Sequence, residues 1–155
     1  RIVTVSGDAV HEPGNFKVPF GMNQAELIEA AGGYKVDPEK IISGGPMMGF
    51  SMFTVDVPVT KTSSSILCFT KDEVAQYEPT ACINCGRCVE VCPSRLIPSR
   101  LADYAEHHDE EAFTKHEGLE CMECGSCSYV CPAKRQLKQA IGSMRKTALA
   151  NRKKK

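Results

Sequence analysis

The 155-residue chain has no tryptophan, and only 6% of its residues are aromatic, so a large core built on bulky rings is excluded. No apolar run approaches the roughly 18 residues of a membrane-spanning helix. The opening "RIVTVSGDAV" carries neither the apolar stretch nor the small-residue cleavage site of a secretory leader. It begins with Arg inside a strand-like run, which reads as a piece of a longer protein. Neither G-x-G-x-x-G nor a P-loop occurs, so no residue is assigned to a nucleotide. Acidic residues are missing from 124–155, which hold nine Lys or Arg, whereas residues 1–123 hold ten basic and nineteen acidic residues. That basic end reads as a solvated face first, then as a contact for an acidic partner or an anionic membrane surface, with nucleic acid last.

Cysteine is what the chain has in excess. Eight of its nine cysteines lie in two runs, "CINCGRCVEVCP" at 82–93 and "CMECGSCSYVCP" at 121–132, an internal duplication. Without a secretory context, dense cysteine points to metal binding rather than a disulfide framework. Each run has the spacing C-x₂-C-x₂-C-x₃-C-P of bacterial two-cluster ferredoxins. There the first three cysteines hold one cube and the Cys before Pro ligates the other. The expected wiring is therefore crossed. Cys82, Cys85, Cys88 and Cys131 hold one [4Fe–4S] cluster, and Cys92, Cys121, Cys124 and Cys127 hold the second.

Gly86 and Gly125 take equivalent places in the runs, where positive φ lets backbone N–H groups approach the sulfurs. Lys134, Arg135 and Arg87 are candidates to offset the clusters' negative charge. The competing reading is zinc in Cys₄ sites, making the chain a zinc-stabilised binding scaffold, but zinc motifs normally pair two C-x₂-C units across a loop. Eight thiolates fill eight iron positions, so the expected chemistry is single-electron relay, with no catalytic residue assigned.

The fold expected is α+β. In residues 1–77, "RIVTVSG", "FKVPF", "KIIS", "FSMFTVDVPVT" and "SSSILCFT" read as strands around one helix, "NQAELIEAAGG", with Asn23 as its cap and Gly32 and Gly33 as its stop. "KDEVAQY" reads as a short helix, and "GGPMMG" as a turn with packed methionines. Residues 78–150 read as mainly helical. Ser99 caps a helix carrying Leu101, Ala105, His108 and Ala112, and Pro132 opens another carrying Leu137, Ile141, Met144 and Ala148. Residues 151–155 form a fraying basic tail. Cys68 is expected to be a buried inert thiol, and His107, His108 and His116 surface or packing residues, as His11 is a loop residue.

The 28-residue spacer from Pro93 to Glu120 suits an α-helical ferredoxin. "VTVSGDAVHEPGNFKVPFGMNQAELIEAAGG" resembles the soluble-ligand-binding β-grasp (SLBB) domain. "ISGGPMMG", with the two cysteine runs and "AKRQLKQAIGSMRK", resembles the C subunit of the Rnf ion-translocating ferredoxin:NAD⁺ oxidoreductase complex. The resemblance implies a small β-grasp domain followed by a two-cluster ferredoxin domain, peripheral on the cytoplasmic side of a prokaryotic inner membrane. It implies the other subunits of that complex and ferredoxin as partners, no nucleic acid, and FMN and NAD(H) on a domain upstream of these residues.

Overall fold

The computed structural model describes residues 1–153, which form two compact units, Arg1–Gln76 and a second beginning at Tyr77. The first unit is a mixed five-stranded sheet with one helix. Its strands are β1 (Ile2–Ser6), β2 (Gly14–Lys17), β3 (Lys40–Ser43), β4 (Phe50–Met52) and β5 (Ser65–Phe69), and its helix is α1 (Gln24–Ala30). They are ordered β2-β1-β5-β3-β4, with β1 and β5 parallel and the other neighbours antiparallel.

Alternation decides which face is buried. Val3 and Val5 on β1, with Ile66 and Cys68 on β5, point to the core, where they meet Leu27 and Ile28 of α1 and its C-cap residue Ala31. Asn23 caps α1 as expected, its carboxamide oxygen accepting from the Ala25 N–H at 2.9 Å. Burial pushes the Cys68 thiol up to about 11, against a lowering contact from Tyr34, and a thiol held protonated this way is inert.

Several boundaries differ from the expectation. Strand β2 stops at Lys17 because Pro19 cannot donate to the ladder. Only Phe50–Met52 of the long second β run pairs as a strand. Residues 71–77 form turns rather than a helix. Asp72 accepts from the Ala75 N–H at 3.2 Å while ion-pairing with Lys40 at 2.6 Å, and this tether to β3, with Pro79 close behind, stops the turn from propagating. The methionines of "GGPMMG" are not packed, since Met47 and Met48 are exposed. Met48 instead borders a cavity of about 580 Å³ with no charged residue in its lining.

Gly7 joins β1 to the next turn at φ +119°, and a Cβ there would lie 1.9 Å from the Cys68 carbonyl oxygen. Gly7→Ala therefore combines a disfavoured backbone with a backbone clash, at a cost of roughly 3 kcal/mol. Urea unfolding followed by circular dichroism checks this, and an unchanged midpoint refutes it.

The second unit is helical: α2 (Arg87–Glu90), α3 (Pro98–Glu106), α4 (Glu110–Lys115), a 3₁₀ turn (Gly118–Glu120), α5 (Ser126–Tyr129) and α6 (Leu137–Arg152). The α6 stripe of Leu137, Ile141, Met144 and Ala148 is buried as its spacing predicts. It packs on α3 around Leu96, Leu101, Ala102, Ala105 and Phe113.

The spacer is two helices, not one. His108 sits at φ 56°, and Asp109 caps α4 by accepting from the Ala112 N–H at 2.9 Å, so the chain turns there. Ser99 is not the cap of α3. That place belongs to Ile97, and Pro98 takes the first helical position, where its missing N–H costs nothing. Pro132 does not open α6, because Lys134 at φ 53° turns the chain first and the helix starts at Leu137. Asn151 and Arg152 belong to α6 rather than to a frayed tail, whose last residues, 154–155, lie outside the described ones.

Candidate metal centre

The duplication extends beyond the cysteines. A shift of 39 positions carries Cys82, Cys85, Cys88 and Cys92 onto Cys121, Cys124, Cys127 and Cys131, and also carries the starts of α2 and α3 onto those of α5 and α6. It matches the left-handed residues as well. Asn84 and Glu123 have φ 54° and 55°, Gly86 and Gly125 have 77° and 83°, and Arg95 and Lys134 have 54° and 53°. Gly86 and Gly125 each stand at the N-cap of a one-turn helix with no side-chain cap, so the backbone itself curls around the thiols. One consequence is N–H donation to sulfur. The Glu123 N–H reaches Cys121 Sγ and the Leu96 N–H reaches Cys92 Sγ, both at 3.4 Å.

The eight sulfurs divide between two cavities. The first is lined by Cys82, Cys85, Cys88 and Cys131, and the second, narrower one by Cys92, Cys121, Cys124 and Cys127. All twelve residues lining the first correspond through the 39-position shift to twelve of the fourteen lining the second. Helices α2 and α5, which carry the third cysteine of each run, are in contact with each other.

Exposure is unequal. Cys82 and Cys85 are exposed, while the other six thiols are partly buried, and five of those rest against the helical core. Burial pushes Cys127 up to about 11 and also raises Cys121. Hydrogen bonds from Ser126, backbone first and then hydroxyl, lower Cys124. These shifts belong to thiols, and binding to a cation would override them by removing the proton.

Four thiols around one space form an all-sulfur donor set suited to an iron–sulfur cube. Among the described residues, no three Cys, His, Asp or Glu side chains group around a single-ion position. The sulfurs line cavity walls instead, an arrangement that fits a multi-atom core better than one tetrahedral zinc.

Charged side chains also reach the walls. Arg135 borders the first cavity with its guanidinium on Asp103 at 2.8 Å and Glu106 at 3.0 Å. Burial works against its charge, but the two carboxylates hold its pKa above the ordinary arginine range. Lys134 instead lies 4.4 Å over the Tyr77 ring, and Arg87 opens α2 on the surface. Glu123 and Lys138 border the second cavity. Neither stands out in the sequence by residue type, although the 39-position shift marks both as counterparts of residues near the first run. His107 and His108 are exposed and His116 stacks on Tyr104, so no histidine joins the sulfurs.

Comparison with known proteins agrees with this geometry. Residues 2–51 match the SLBB domain and residues 81–135 match the 4Fe-4S dicluster domain. The class is thus a two-cluster iron–sulfur protein, holding two [4Fe–4S] clusters behind an SLBB domain.

The chain is 42% identical over 154 residues to the C subunit of the Na⁺-translocating ferredoxin:NAD⁺ oxidoreductase complex of Acetobacterium woodii, covering 99% of this chain and 35% of that protein. It is 47% identical over 102 residues to the proton-translocating counterpart of Clostridium ljungdahlii, covering 66% and 22%. It is 40% identical over 117 residues to the C subunit of the ion-translocating oxidoreductase complex of Yersinia enterocolitica, covering 75% and 17%. The chain belongs to the family of these C subunits, and it spans about a third or less of the length of these relatives.

Proposed function

We propose that this chain is the electron-relay part of the C subunit of an ion-translocating ferredoxin:NAD⁺ oxidoreductase complex. In this reading Cys82, Cys85, Cys88 and Cys131 hold one cluster, and Cys92, Cys121, Cys124 and Cys127 hold the other. The observation that carries it is the division of the eight sulfurs between two cavities, each taking three from one run and its fourth from the other. When bound, the two clusters supply one-electron carriers. The chain's own part is to fix both ligand sets on one small helical core, to turn backbone N–H groups toward sulfur, and to shield the second set from water more than the first.

The names of the relatives motivate the rest: ferredoxin and NAD⁺ as the ends of the electron path, coupled Na⁺ or H⁺ transport, and neighbouring members of the complex as partners. No helix among the described residues is long and apolar enough to cross a membrane. This suits a peripheral place on the cytoplasmic side, held by contact with other subunits.

Protein purified anaerobically is expected to be brown, with about eight irons per chain by the two-cube assignment, and to show two one-electron waves in an EPR-monitored redox titration. Colourless protein with stoichiometric zinc would overturn the relay and leave a scaffold in its place.

A further inference from the structure

The correspondence between the two cavity linings works as an internal control. Equivalent cysteines already differ in exposure between the two sites, and the mismatched wall residues add differences of charge. Ser99 in the first cavity becomes Lys138 in the second, Asn84 becomes Glu123, and Arg135 takes the place that Leu96 has in the second.

The mismatched charges are not equally available. Arg135 is committed to two carboxylates, Asp103 and Glu106. Glu123 is answered by Arg145 at 3.4 Å. Lys138 is partly buried at the wall of the second cavity, and among the described residues its ammonium has no carboxylate within ion-pair distance. Of the two cations that line a cavity, Arg135 and Lys138, it is the one without a counter-charge among the described residues.

We infer that Lys138 sets the reduction potential of the cluster held by Cys92, Cys121, Cys124 and Cys127, and makes that cluster unequal to its duplicate, where Ser99 is neutral. The inference rests on the two-cluster reading above. One-electron reduction takes the thiolate-bound cube from a formal charge of about −2 to about −3, with no bond made and no proton required. A nearby cation stabilises the more negative form, so Lys138 raises the potential of the site it lines more than that of the other, whose wall it does not reach. A second mismatch acts in the same direction. Ser126 Oγ lies 3.5 Å from Cys124 Sγ and can donate to a thiolate there, whereas Arg87 occupies the equivalent position in the first run.

The test is an EPR-monitored redox titration of the iron-loaded chain with Lys138→Gln, Lys138→Arg and Ser99→Lys. Lys138→Gln is expected to move one of the two waves to lower potential by about tenfold in its reduction constant, or about 59 mV for one electron. Lys138→Arg should restore it. Ser99→Lys should raise the other wave, and this arm remains decisive should Lys138→Gln load iron poorly. Unmoved waves, equal movement of both, or movement of the same wave by Lys138→Gln and Ser99→Lys would overturn the inference. Wild-type protein with fewer than two reducible clusters would instead sink the relay reading itself.

Discussion

Replacing Cys131 with alanine is expected to damage the cluster whose other ligands lie 43 to 49 residues earlier, at Cys82, Cys85 and Cys88, and to spare the one built on its own run. The geometric reason is where the chain goes after the third cysteine of each repeat. Four-residue helices α2 and α5 carry Cys88 and Cys127, and the fourth cysteine follows after the helix has ended, facing the neighbouring cavity. Cys131 thus lines the same space as Cys82, and Cys92 the same space as Cys121.

With one thiolate gone, the corner iron it held becomes labile. The Cys131→Ala protein should lose between one iron and the whole cube, falling from about eight irons to between about seven and about four. The informative readout is which EPR signal changes. Cys131→Ala should alter the signal that Cys85→Ala alters, and Cys92→Ala the signal that Cys124→Ala alters. If Cys131→Ala groups with Cys124→Ala, the wiring is uncrossed and each run holds its own cube. A uniform loss of both signals in every variant would show that the clusters assemble only together, and a metal assay with one cluster blocked would then be needed to assign them.

How much of this is legible in the sequence depends on whether a residue's neighbours in sequence are also its neighbours in space. The α1 cap at Asn23 and the α6 stripe at Leu137, Ile141, Met144 and Ala148 are local patterns, and both appear as read. The cysteine spacing and the positive φ of Gly86 and Gly125 are local too. Residues 99–113 read as one helix because apolar spacing continues across His108, and only the Asp109 cap and the left-handed turn show that the helix restarts. The turns at Arg95, Glu123 and Lys134 are invisible for a related reason. Their side chains do not favour the left-handed region, and the conformation is imposed by a backbone that must curl around the thiols. Arg135 is one of the three cations offered by the sequence and it does border a cavity, whereas Lys138 reaches a wall only through tertiary packing that local sequence does not reveal.

Removing the iron is expected to unfold the second unit while leaving the first intact. The helical unit has a small core, centred on Phe113, Leu101, Leu137 and Ile141, and a core of that size in fewer than about 80 residues rarely supplies more than about 3–5 kcal/mol. Against that stand Asn84, Arg95, Glu123 and Lys134, left-handed without glycine at a cost of about 1 kcal/mol or more each, and two single-turn helices lacking side-chain caps. Five of the cysteines rest on the core itself, so the ligand sets and the packing share one support. Metal binding would then contribute folding free energy directly, because the denatured chain offers no preformed site.

The first unit depends on none of this. Its core of Val3, Val5, Leu27, Ile66 and Cys68 is closed by its own sheet and capped helix. Oxidative chelation of the loaded protein should therefore abolish most of the helical circular dichroism and open residues beyond Tyr77 to protease, while a fragment ending near Gln76 persists. Retained helicity and uniform protease resistance after complete iron loss would show that packing alone holds α3, α4 and α6 together, and that the strained turns cost less than their φ values imply.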